Sequence, residues 1–151
     1  MKITKKNNKI VPVNDIETKG LCMTELEKTV LKMVQKITPE IDKSITQLQD
    51  DDSKKYILSA HDCQKRWLDA VLTESPLPEI GPDTDTIQKI FNRIALLTNF
   101  VNSAAYKAMT KVAENESLVV KYKWIVTLTN YQLKWIDAYR YNLPLPEDVV
   151  V

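Results

Sequence analysis

Glycine is nearly missing from this chain, with two copies in 151 residues. Tight hairpin turns need residues that accept positive φ, so this scarcity argues against a protein built of β-hairpins. One histidine, His61, excludes a multi-histidine metal site. The two cysteines, Cys22 and Cys63, have no paired spacing and make neither a disulfide framework nor a zinc site. No run of 18 apolar residues occurs, which excludes a helical membrane span. Nor is there an excess of charge: 21 basic side chains face 20 acidic ones, and each half of the chain is close to neutral. Such a molecule has no overall field to draw it to nucleic acid or membrane.

Motifs are missing as well. There is no glycine-rich phosphate loop and no serine-nucleophile signature. The run "DDD" at 50–52 lacks the glycine and terminal glutamate of a calcium loop, and reads as a solvated helix cap. The opening stretch, MKITKKNNKIVPVNDIETKG, has basic residues but no apolar segment of the signal-peptide kind. The expectation is therefore a cytoplasmic protein with reduced thiols and no cofactor or metal.

What the chain does have is helical period. Hydrophobic residues make up 44% and charged residues 27%, enough for one sizeable core. Residues 1–20 read as a basic, non-helical arm, and residues 21–151 as one helical domain. Thr24 and Glu27 form a capping box, after which Leu26, Val30, Met33, Ile37, Ile41, Ile45 and Leu48 recur at steps of three and four. Pro39 interrupts this stripe without changing its phase, which predicts a kink or a short break. The whole pattern predicts an all-α fold with helices near 24–50, 53–74, 84–114 and 117–141. Asp83 or Thr84 is the expected cap of the third helix and Ser117 that of the fourth.

Two stretches match each other. Aligned at an offset of 68, residues 53–80 and 121–148 are identical at 10 of 28 positions. Unrelated segments would agree at about two. The shared residues include Gln64/Gln132, Trp67/Trp135, Asp69/Asp137 and the segments Pro76-Leu77-Pro78-Glu79 and Pro144-Leu145-Pro146-Glu147. The earlier helices match in apolar pattern, so the repeating unit is a helical hairpin with its proline tail, about 24–80 and 92–148. Two such hairpins bury their apolar faces most simply against each other, as a pseudo-two-fold four-helix bundle. A short solenoid is the rival arrangement.

Each repeated residue has a structural reading. The tryptophans lie about seven residues before their helix ends, within reach of a three-residue extended return. The two Pro-Leu-Pro segments are thus expected to fold back onto the rings of Trp67 and Trp135. Gln64 and Gln132 stand in an apolar seam, where they either pair with each other or reach water. Asp69 and Asp137 follow Arg66 and Lys134 by three residues, the spacing of a surface ion pair. His61 reads as an ordinary, partly exposed residue.

Function is constrained mainly by exclusion. With no convergent polar site, the reading is a non-enzymatic protein–protein interaction module: an accessory, adaptor or inhibitor protein. The last helix holds more aromatics than one seam can take, and Tyr131 and Tyr141 fall off its apolar face, which marks them as interface candidates. Val149, Val150 and Val151 form an apolar end that either frays or docks, on this bundle or on a second copy to give a homodimer. Two alternatives are nucleic-acid association through the basic arm and an enzyme using Asp69 and Asp137.

Overall fold

In the computed structural model, residues 22–147 are described, and among them there are four helices and no strand. They are α1 (Glu25–Thr46), α2 (Asp52–Leu72), α3 (Ile87–Lys111) and α4 (Glu116–Arg140). The expected arm at residues 1–20 and the three terminal valines lie outside the described residues. Each helix packs on its neighbours in the chain, and α4 also packs on α1, which closes the four into a bundle rather than an open stack. The α3–α4 interface is the most extensive and α1–α2 the least.

Local chemistry explains the boundaries. The Thr24–Glu27 capping box is present, with Glu27 N–H donating to Thr24 Oγ1 at 3.1 Å and Thr24 N–H to Glu27 Oε1 at 2.8 Å. α3 begins at Ile87, capped by Thr86 rather than by Asp83 or Thr84. Thr84 is otherwise engaged: its hydroxyl accepts from Gly81 N–H at 3.0 Å and donates to Glu79 O at 3.2 Å, tying up the loop. α4 is capped by Asn115, whose side chain accepts from Leu118 N–H at 3.1 Å, so Ser117 lies inside the helix.

Helix α1 runs through Pro39 without a break. Proline lacks the N–H that would bond Gln35 O one turn back. Thr38 Oγ1 donates to that same carbonyl at 2.8 Å, so the acceptor freed by proline stays satisfied. α2 and α4 end alike. Glu74 and Asn142 both take positive φ, 55° and 56°, and Ser75 N–H to Ala70 O (2.9 Å) and Leu143 N–H to Ala138 O (2.8 Å) close the same C-terminal turn.

The core is divided in two. One apolar cluster holds Trp67, Leu68, Leu77, Phe91, Ile94, Trp135 and Ile136 with Leu31 and Val34. The other holds Ile37, Ile41, Ile45, Ile57, Val101, Tyr122, Ile125 and Leu128. Between them in the order of α2, α3 and α4 lie buried polar residues: Gln64, Thr98, Thr129 and Gln132. Gln64 Nε2 donates to Gln132 Oε1 at 3.0 Å and to Thr98 Oγ1 at 2.6 Å, and Gln132 Nε2 donates to Val34 O at 2.9 Å. α2 and α4 are not neighbours in the ring of helices, so the glutamine pair spans the bundle diagonally.

Candidate functional site

The repeated residues divide into a buried set and a surface set. Trp67 and Trp135 are both buried in the same apolar cluster, as is the Gln64–Gln132 pair beside it. Asp69 and Asp137 are on the outside and do not meet, since they line separate grooves over α2 and α4. Neither makes the ion pair expected from its spacing. Asp69 accepts from Gln35 Nε2 of α1 at 2.7 Å, while Arg66 turns to Cys63 Sγ. Asp137 pairs with Arg140 at 3.1 Å, one turn after it rather than before. Among the described residues, no cluster of three or more His, Cys, Asp or Glu side chains could hold a metal ion.

His61 is fully buried, not partly exposed. Its Nε2 lies 2.9 Å from Asp42 Oδ1 on α1, and Lys65 Nζ reaches the same oxygen at 3.0 Å. A carboxylate only accepts, so Nε2 carries the proton and donates, leaving Nδ1 in the interior without a partner among the described residues. Burial pushes the imidazole below its ordinary pKa, against the opposing pull of Asp42. The partner that allows this burial is 19 residues away on another helix, which no local pattern reveals.

The surface set is asymmetric. Leu77 of the first Pro-Leu-Pro segment is 7% exposed and belongs to the Trp67 cluster, whereas Leu145 of the second is 44% exposed. Pro76, Pro78 and Pro144 are exposed and Pro146 is half-buried. The second tail is therefore not seated as the first one is. It runs back over the outer face of α4 instead, enclosing a groove of about 1070 Å³ with Thr127, Asn130, Tyr131, Lys134 and Asp137. Tyr131 is half-buried against the second apolar cluster, with Lys134 Nζ over its ring at 5.4 Å. Tyr141 is 60% exposed and Leu143 55%, so the tail presents a row of large apolar side chains.

The first tail is held at residue 93. Glu79 ends the first segment and meets Arg93 of α3 at 2.7 Å, and that guanidinium lies over the Trp67 ring at 5.3 Å. At the offset of 68, Arg93 aligns with Glu25. Ile90 and Phe91, in the cluster that receives Leu77, correspond to Cys22 and Met23, which precede the start of α1.

A smaller groove of about 640 Å³ runs over α2, lined by Leu58, Ser59, Asp62, Lys65, Arg66 and Asp69 among others. Ser59, Asp62, Lys65, Arg66 and Asp69 occupy the repeat positions of Thr127, Asn130, Leu133, Lys134 and Asp137. The same outer face is thus charged on α2 and less charged, with a tail above it, on α4. No helix among the described residues is long and apolar enough to cross a membrane. In comparisons with known proteins, no family model, no curated protein and no solved structure matches this chain.

Proposed function

We propose that this chain is a non-enzymatic protein-interaction module, a tandem duplication of a helical hairpin packed as a pseudo-two-fold bundle. Its docking surface is the outer face of α4 together with the tail from Tyr141 to Glu147. The observation that carries the reading is the contrast between Leu77 and Leu145: one motif, once seated in the core and once displayed. A row of exposed Tyr141, Leu143 and Leu145 beside a groove is the kind of surface that proteins use to anchor partners.

Support for the duplication comes from the matched C-terminal turns at Glu74 and Asn142 and from grooves at repeat-equivalent positions. The enzyme alternative loses its main attraction, because Asp69 and Asp137 line separate grooves and each already bonds to a neighbouring side chain. Two cysteines without paired spacing suit a reducing compartment such as the cytoplasm. The test is affinity capture from native lysate with the intact chain and with a Tyr141→Ala/Leu145→Ser variant. Loss of a recovered protein from the variant, with unchanged thermal melting, supports the surface. Recovery of every partner by both counts against it.

A further inference from the structure

The first hairpin contains a complete recognition pair. Glu79 is received by Arg93, whose guanidinium is itself stacked on an aromatic ring, while Leu77 enters the apolar cluster beside it. The second hairpin displays the same ligand, Leu145 and Glu147, without that receptor. Glu147 makes no ion pair among the described residues. Yet the wall of its own groove carries a receptor of the same chemistry. Lys134 is exposed, forms no ion pair among the described residues, and lies over the Tyr131 ring. Glu147 and Lys134 line one groove but remain beyond ion-pair distance within the molecule.

We infer that a second copy of this chain docks on this face, each copy's Leu145 and Glu147 engaging the Tyr131–Lys134 wall of the other. The inference rests on the reading of the tail and α4 as a docking surface, and names its occupant. The patch is self-complementary: it presents both members of a pair that is open within the molecule, and a two-fold rotation would set each opposite its counterpart. Such an isologous contact uses every element twice and leaves no free end for further copies to add. Opposite charges at Glu147 and Lys134 fix the register of the contact, and the exposed apolar row from Tyr141 to Leu145 is covered in the process.

The patch is small, so the dimer is weak, with a Kd on the order of tens of micromolar. Sedimentation velocity of the full chain should show the mass rising from monomer to dimer across that range, less so at high salt. Glu147→Lys and Lys134→Glu should each raise the Kd at least about tenfold, and combining the two should restore it to within about threefold. Both changes are on exposed side chains, and circular dichroism checks that any loss is not misfolding. A wild-type chain that stays monomeric at about ten times that Kd overturns the inference. So does a dimer indifferent to both single changes, or a double variant no better than the singles. A monomer whose Tyr141→Ala/Leu145→Ser variant still loses a captured partner retains the docking surface with a different occupant. A monomer with nothing lost removes both.

Discussion

Asp42 holds two donors on one oxygen, and the unequal fate of those donors sets the pH behaviour of this protein. Lys65 is half-exposed, and its bond to Asp42 raises its pKa, keeping it charged throughout the accessible range. His61 is fully buried and neutral, with its pKa lowered chiefly by desolvation. In the unfolded chain the imidazole protonates near pH 6.5. Because the folded pKa lies below that value, the unfolded state binds the extra proton first as the pH falls. Stability is therefore full above about pH 6.5 and declines below it, by up to about 1.4 kcal/mol per pH unit, until the folded pKa is reached. Urea denaturation at pH 7.5 and pH 5.5 should show this decline, and His61→Gln should flatten it. An equal slope in the variant would mean that a group other than His61 is responsible.

At the scale of elements, the two tails show how a repeated motif can do different things. Both leave their helices through the same positive-φ turn, so the exit direction is common. What differs is the seating: Leu77 enters the apolar cluster with Ile90 and Phe91 while Glu79 meets Arg93, whereas Leu145 is exposed beside α4. Leu77→Ala should accordingly cost about 2–3 kcal/mol of folding stability by emptying a core site. Leu145→Ala should cost less than about 0.5 kcal/mol, the usual effect of an exposed substitution. Equal costs, measured by chemical denaturation, would mean that the second tail is as well seated as the first. The helices themselves were legible from their period, and the start of α1 from its capping box, because both are local. Less legible were the start of α3, where Thr84 and Thr86 compete for the cap, and the burial of His61, which depends on Asp42 of another helix. The continuity of α1 through Pro39 was hidden for a related reason, since it rests on where one threonine hydroxyl points.

At the scale of the whole molecule, the polar layer between the two apolar clusters is the feature that ties all four helices together. Gln64 of α2 bonds Thr98 of α3 and Gln132 of α4, and Gln132 in turn bonds Val34 O of α1. The sequence marks both glutamines as polar residues in an apolar seam, but cannot distinguish a diagonal pair from two residues reaching water. The network is not complete, because Gln64 Oε1 is buried without a partner among the described residues. That asymmetry separates the single from the double substitution. Gln64→Leu alone strands Gln132 Oε1 in the interior and should cost about 1–3 kcal/mol. Gln132→Leu removes one acceptor from Gln64 Nε2, which keeps Thr98, and should cost less. In Gln64→Leu/Gln132→Leu both groups disappear together, and the Thr98 hydroxyl still donates to Ile94 O at 2.7 Å, so no new orphan is left. The double variant should therefore be about as stable as the parent or more so, with a coupling energy of about 1–2 kcal/mol from the four urea curves. It should also lose register, since two continuous apolar clusters can slide where a hydrogen-bonded pair cannot, and amide NMR spectra should broaden accordingly. Additive costs with sharp spectra would show that the glutamines act separately and that the helices take their register from apolar packing alone.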